Sequence, residues 1–325
     1  MNRKSLVYAL AGLGLALGSA LGLSGRVPPA LAADKPVLKI GYLPITHSLP
    51  VAVADALYSA KYKNFKLEPV KFSSWPELVE AYSSGKIQAA SELLVLALAA
   101  AERGVPEKIV ALSHRHGDIL TVAPEIGSVK DLKGKRVAIP HRMSVHNILL
   151  HLALQKEGLK LADVEWVEMP PPDMPAALAR GDIKGYIVAE PFGAKAVLGG
   201  YGKKLVDGRQ IWADYICCGL VVSPSFAAAH PEAVKEFVQS FVAAGQYIEK
   251  NREEAIRIAK KYMAIDEATW RKSFEWGVSY GDLRPVRSEL EALQKHALEL
   301  KLLKAPQKLD ALVDASLVQG AYKSK

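Results

Sequence analysis

From Leu38 onward the chain alternates short β-type runs with helical stretches, and this rhythm constrains the fold more than any single residue does. Leu38-Lys-Ile-Gly-Tyr-Leu reads as a first strand, followed by a helix over 50–60. Residues 65–72 read as a second strand, 76–83 as a short helix ended by Gly85, and 108–113 as a further strand. Between them, Gln88-Ala-Ala leads to Ser91, whose hydroxyl suits the N-cap of an apolar helix that stops at Gly104. Parallel strands need crossover connections of this length, so the succession predicts a mostly parallel sheet covered by helices.

The same rhythm restarts after Asp131-Leu-Lys-Gly-Lys, with strands over 136–139, 164–169 and 186–189 and helices over 145–157 and 175–180. Tyr215 to Val222 is an unbroken apolar run suited to a buried strand, and everything beyond Pro231 has helical pattern. The strand at Tyr215 is followed by no α/β unit of its own, which favours a return to the first sheet. Crossovers near His116–Thr121 and near Trp212–Tyr215 then form a double-crossover hinge with a cleft between two lobes. The expected division is residues 33–118 with 216–325 in the first lobe and 119–215 in the second. Ligands of open α/β sheets bind outside the carboxyl ends of the strands, and here those ends line the cleft.

Residues 1–32 read as a signal peptide: Arg3 and Lys4 precede an uncharged run from Leu6 to Gly25, and Ala30-Leu-Ala offers the small-x-small cleavage pattern. No cysteine lies near that point, so a lipid anchor is excluded and a periplasmic location follows. Removing those 32 of 325 residues leaves 293, enough for two cores, and removing their three basic residues leaves +5 of the net charge of +8. That charge is spread out, without a dense Lys/Arg block, so nucleic acid is not an expected partner. The two cysteines, Cys217 and Cys218, are neighbours. Their Cα atoms sit about 3.8 Å apart, too close for an unstrained disulfide, so two free thiols are expected, one on each face of a strand.

The strand ends carry Pro44-Ile-Thr-His-Ser, Ser73-Ser-Trp, Ala90-Ser-Glu, His114-Arg-His-Gly-Asp, Pro140-His-Arg-Met-Ser-Val-His, Pro170-Pro-Pro-Asp-Met and Glu190-Pro-Phe-Gly. Six of the eight histidines lie before residue 152, and most fall in these loops. Ala189-Glu-Pro-Phe-Gly-Ala, Pro170-Pro-Pro-Asp-Met-Pro-Ala-Ala-Leu, Gly181-Asp-Ile-Lys-Gly-Tyr, Ser144-Val-His-Asn and His230-Pro-Glu-Ala-Val make the chain resemble the solute-binding proteins of nitrate/sulfonate/taurine-type ABC importers. The resemblance covers essentially the whole mature chain. It implies a type II periplasmic binding protein: an α/β fold of two lobes, each a mostly parallel sheet flanked by helices. It also implies a monomeric receptor, not an enzyme, that captures a small, anionic solute of the sulfonate, nitrate or bicarbonate kind. The partners implied are a membrane permease and its cytoplasmic ATPase, with no cofactor.

The candidate ligand-binding residues are Thr46, His47, Trp75, Ser91, Glu92, His116, Ser144, His146, Asn147, Glu190 and Cys217. Ser144 caps a helix whose first turn holds His146 and Asn147 beside unpaired N–H groups, a setting that favours anions. His146 also resembles the pocket histidine of nitrate-binding members. Trp75 fits a pocket wall and a buried lobe-edge residue equally, and Glu190 fits ligand contact and loop fixing equally. No metal site is expected, because His146 and His151 lie about 140° apart on a helix and His114 with His116 would supply only two ligands. Where nitrate- and bicarbonate-binding members carry a lysine, the best match here is Cys217, which argues against nitrate itself. The alternative is a binder of a thiamine-pyrimidine precursor, or an enzyme like the fungal thiamine-pyrimidine synthases, which share the fold and a cysteine-rich motif. Their Schiff-base lysine and sacrificial histidine fall on Glu92 and Leu96, where neither chemistry is possible.

Overall fold

Two five-stranded sheets organise residues 34–323, the part of the chain that the computed structural model describes; the expected signal peptide lies outside it. Along the chain come β1 (Val37–Tyr42), α1 (Leu49–Tyr58), β2 (Lys66–Lys71), α2 (Trp75–Ser83), β3 (Ala89–Leu93), α3 (Leu94–Glu102) and β4 (Lys108–Leu112). Then follow β5 (Asp118–Val122), β6 (Arg136–Ile139), α4 (Val145–Lys156), β7 (Glu165–Glu168), α5 (Met174–Arg180), β8 (Gly185–Ala189), α6 (Phe192–Leu198), β9 (Lys203–Asp207) and α7 (Gly208–Ile211). The chain returns through β10 (Cys218–Val222) to a helical region with α8 (Pro224–Ala229), α9 (Pro231–Lys250), α10 (Arg252–Tyr262), α11 (Glu267–Phe274) and α12 (Arg287–Glu299).

Strand order is β2-β1-β3-β10-β4 in one sheet and β7-β6-β8-β5-β9 in the other. Each sheet holds one strand antiparallel to both neighbours, β10 between β3 and β4 and β5 between β8 and β9. Those are the two strands entered by changing sheet, so the sheets are mixed rather than uniformly parallel. β5 replaces the crossover loop expected around 116–121: only residues 113–117 separate it from β4, with no helix between to announce it, and Asp118, expected in the first lobe, starts this strand of the second sheet. Ser91 also departs from expectation. It lies inside β3, which pairs with β1 on one side and β10 on the other, and α3 starts only at Leu94. Two ladders of backbone hydrogen bonds outweigh one side-chain cap.

The turn between the sheets is tight. His116 (φ 62°) and Gly117 (φ 90°) both adopt left-handed backbone, and a Cβ on Gly117 would fall 2.9 Å from Val278 Cβ. The C-terminal region clasps this turn: Arg115 and Ser279 exchange both backbone hydrogen bonds, and the Arg115 guanidinium donates to Glu289 at 2.7 Å. Trp276 packs on Ile119 and Ala194 of the second lobe.

Candidate functional site

Thr46, His47 and Ser48 form a short 3-10 turn just beyond β1, and His114 stands two residues beyond β4. Cys217 and Cys218 enter β10, Asp118 begins β5, and His146 sits in the first turn of α4 beyond β6. These positions are the carboxyl ends of parallel strands or the amino ends of the antiparallel ones, so they occupy the facing edges of the two sheets. The side chains of His47, His114, Asp118, His146, Cys217 and Cys218 meet there, and none of these residues is more than 1 % exposed.

Asp118 lies at the centre. Its Oδ1 is 2.6 Å from His146 Nε2, 3.7 Å from His47 Nε2 and 4.0 Å from Cys217 Sγ. The thiols lie 3.6 Å apart, and Cys218 Sγ is 3.6 Å from His47 Nδ1. The expectation of one thiol on each face of a strand is thus corrected: β10 begins only at Cys218, and the unpleated Cys217 turns to the same side. The His47 and His114 rings stack with centroids 3.3 Å apart. His114 Nδ1 donates to the His116 carbonyl at 2.8 Å, and its Nε2 accepts from Cys218 N–H at 3.3 Å. The Asp118 N–H donates to the Tyr215 hydroxyl at 3.0 Å.

Charge in this cluster is unusual. Among the described residues no lysine or arginine pairs with Asp118; its ionic partners are His47 and His146. Burial works against the Asp118 charge, but His146 and His47 outweigh it and hold the carboxyl below its ordinary range. Burial lowers His47 to about 4 despite Asp118, and it pushes the Cys217 and Cys218 thiols up. Three buried polar atoms of the cluster lack a hydrogen-bond partner: Asp118 Oδ2, His47 Nε2 and His146 Nδ1. Unpaired buried groups are costly, and their concentration at one place makes this cluster the candidate site.

The sequence pattern of the NMT1-like family matches residues 31–264. The chain belongs to the NMT1-like family. A taurine-binding periplasmic protein of Escherichia coli (strain K12) is 34% identical over 221 residues, covering 67% of this chain and 68% of the relative. A putative aliphatic sulfonates-binding protein of the same organism is 27% identical, covering 88% and 89%. A Staphylococcus aureus structure, described as the ligand-binding component of an ABC-type import system with zinc bound, superposes with a TM-score of 0.84 at 33% identity, covering 89% of this chain and 100% of that one. The nitrate-binding protein NrtA from Synechocystis PCC 6803 shares the fold, with a TM-score of 0.79 at 19% identity over 90% of this chain and 89% of that one. The architecture is therefore that of the two-lobed periplasmic binding proteins. No helix of the described residues is long and apolar enough to cross a membrane.

Within this NMT1-like chain the candidate residues separate into distinct roles. His47, His146 and Cys217 belong to the cluster. Thr46 and Glu190 join the lobes instead, because the Thr46 N–H and hydroxyl both donate to the Glu190 carbonyl, at 2.8 and 2.9 Å. The Glu190 carboxylate accepts from Gly193 N–H and Ala194 N–H at the start of α6, and burial pushes it up to about 8 against those bonds. Ser144 caps α4 by accepting from Asn147 N–H, and the Asn147 amide donates to the Arg142 carbonyl. His116 serves through its carbonyl, while its ring meets Tyr215 edge-on. Ser91 lies in a buried hydroxyl chain with Ser48 and Ser113. Glu92 points to Glu107, and no hydrogen bond or ring contact ties the buried Trp75 to the cluster.

Sequence reasoning left Asp118, His114 and Cys218 outside the candidate set. His114-Arg-His-Gly-Asp held the signal for two of them, since a left-handed turn at His116-Gly117 folds its two ends toward one point. The spacing test for metal ligands searched within single elements. The structure gathers donors from four separate segments, which no such test can reach.

Proposed function

We propose that the chain is the solute receptor of an ABC importer, closing its two lobes on a small solute and delivering it to a membrane permease powered by a cytoplasmic ATPase. One observation carries this reading: polar side chains from both sheets converge in a single buried cluster where the chain crosses between lobes. A receptor needs such a place, because a solute touching both lobes stabilises the closed form by its differential affinity alone. The family's periplasmic members support a location outside the inner membrane after cleavage before Ala33. The reading takes the chain as a monomer without enzymatic activity, and the absence of lysine at Glu92 disfavours the thiamine-pyrimidine-synthase alternative.

The relatives' names favour a small anion such as a sulfonate. A second reading of the solute is favoured by the side chains themselves, which are carboxylate, imidazole and thiol without lysine or arginine, and by the zinc named for the Staphylococcus aureus relative. A thermal-shift panel of taurine, alkanesulfonates, nitrate, bicarbonate and divalent metals separates the two. A solute at a hundredfold excess over its Kd stabilises by about 2.7 kcal/mol. Small-angle scattering with the responding solute should show compaction, and the loaded protein should stimulate ATP hydrolysis by its permease complex. A shape indifferent to every solute would refute the receptor reading.

A further inference from the structure

We infer that His47, His114, Cys217 and Cys218 make a complete site for one thiophilic d-block cation on the first lobe, and that the second lobe closes on it with Asp118 and His146 as outer support. The closure half rests on the receptor reading; the site half stands on geometry alone.

Spacing comes first. One nitrogen from each of His47 and His114 and both sulfurs lie within 4.8 Å of one another. A tetrahedral ion with bonds of about 2.0–2.3 Å holds neighbouring donors about 3.3–3.8 Å apart. The Cys217–Cys218 and His47–Cys218 separations, both 3.6 Å, fall in that range. Seating an ion also requires the His47 and His114 rings, now stacked with centroids 3.3 Å apart, to splay so that both lone pairs converge.

The outer contacts of the imidazoles are already in place. A ligating histidine is held by a carbonyl or carboxylate on its far nitrogen, which fixes the tautomer and aims the lone pair. His114 has the far-nitrogen bond already: Nδ1–H donates to the His116 carbonyl, so Nε2 carries the lone pair, which here accepts the Cys218 N–H at 3.3 Å and must turn from it to the ion. His47 turns Nδ1 toward the Cys218 thiol, and its far nitrogen faces Asp118 Oδ1 at 3.7 Å. That carboxylate comes from the second lobe, and His146 steadies it at 2.6 Å.

Asp118, His146 and Cys217 also offer three donor atoms within 4.8 Å of one another. However, the 2.6 Å contact commits Asp118 and His146 to each other. All four first-lobe donors can thus take the ion before closure, and closure adds the carboxylate behind His47. On binding, each thiol releases its proton to solvent, so two thiolates offset a dication and the interior gains no net charge. Thiolates select Zn²⁺-like or Cu⁺-like ions over Mg²⁺, Ca²⁺ and Mn²⁺.

The test uses the full reduced chain freed of metal. Titration with Co²⁺ should give one equivalent bound with sulfur-to-cobalt charge-transfer bands, displaced by Zn²⁺ and unaffected by Mg²⁺ or Ca²⁺. Cys217→Ser and Cys218→Ser should lose those bands and more than about a hundredfold in Zn²⁺ affinity. Asp118→Asn should keep the bands, lose about 10–100-fold in affinity, and lose the Zn²⁺-induced compaction seen by scattering. Far-UV spectra check that each variant folds, and the wild-type cobalt spectrum decides the site without any variant. Cobalt bound without thiolate bands, or no binding, overturns the site. An Asp118→Asn loss as complete as that of the cysteine variants overturns the outer-support role. If Zn²⁺ does not bind while taurine or nitrate compacts the protein, this inference fails and the receptor reading survives. Thiolate-bound Zn²⁺ with no compaction for any solute upholds the site and overturns closure.

Discussion

Glu107→Gln should stabilise the protein increasingly as pH rises. Glu92 and Glu107 are 1 % and 7 % exposed, and their carboxyls face one another with Glu92 Oε1 and Glu107 Oε2 lacking any other partner. The other ionisable groups facing the pair are Tyr82, Arg103 and, beside Glu92, Cys218. Burial raises both carboxyls, and for Glu107 the neighbouring Glu92 raises it further, so the folded pair keeps a proton that the unfolded chain releases above about pH 4.3. A raised folded pKa contributes stability that is full below the unfolded value and is lost as pH climbs toward the folded one. One retained proton costs about 1.4 kcal/mol per pH unit, or about 2–3 kcal/mol between pH 5 and 7. The glutamine amide keeps a donor on Glu92 at every pH and removes that slope. Urea unfolding of both proteins from pH 5 to 8 reads the difference directly, since all other titrations cancel. A variant-minus-wild-type difference that stays flat with pH would refute the shared-proton argument.

Three further outcomes follow from individual contacts in the structure. His146→Ala should weaken solute binding by about 1–3 kcal/mol and cost about 3 kcal/mol of stability by leaving Asp118 buried without its 2.6 Å partner, whereas His151→Ala should change both by less than about 0.5 kcal/mol; calorimetry and urea unfolding of the two variants check this. Gly117→Ala should destabilise by about 2–3 kcal/mol, because its φ of 90° and the 2.9 Å approach to Val278 both oppose a methyl group; an unchanged urea midpoint would count against the tight-turn description. Tyr280→Phe should cost about 1 kcal/mol, since its buried hydroxyl donates to the Thr46 carbonyl at 2.8 Å, and a phenylalanine variant as stable as wild type would show that bond to be dispensable.

The alternation of strand and helix was legible at β1, β2, β6 and β8, whereas β9 went unread although α6 separates it from β8. It also failed at the first change of sheet, though not at the return through β10. β5 follows β4 after five residues, so nothing in local periodicity distinguishes it from a loop. Ser91 misled because cap preference is local, while β3 is decided by partners up to 133 residues away, such as Val222 opposite Ala89. His47, His146 and Cys217 were legible as polar residues at strand ends. Asp118, at the heart of the cluster, carries no local mark: its importance comes from what approaches it across the crossover.

The position of β10 has a consequence for the order in which the molecule assembles. The second sheet is built from a continuous stretch, Asp118 to Asp207, and can form as soon as that stretch is available. The first sheet cannot, because β4 joins β3 only through β10, more than a hundred residues later. Until Cys218–Val222 is inserted, β3 and β4 present unpaired apolar edges, the kind of surface that recruits other chains. Pairing at that separation carries a loop-closure cost that slows folding. The same strand that brings the two thiols to the cluster is therefore the keystone of the first lobe, and a chain interrupted before residue 218 should hold a finished second lobe attached to an open, aggregation-prone first one.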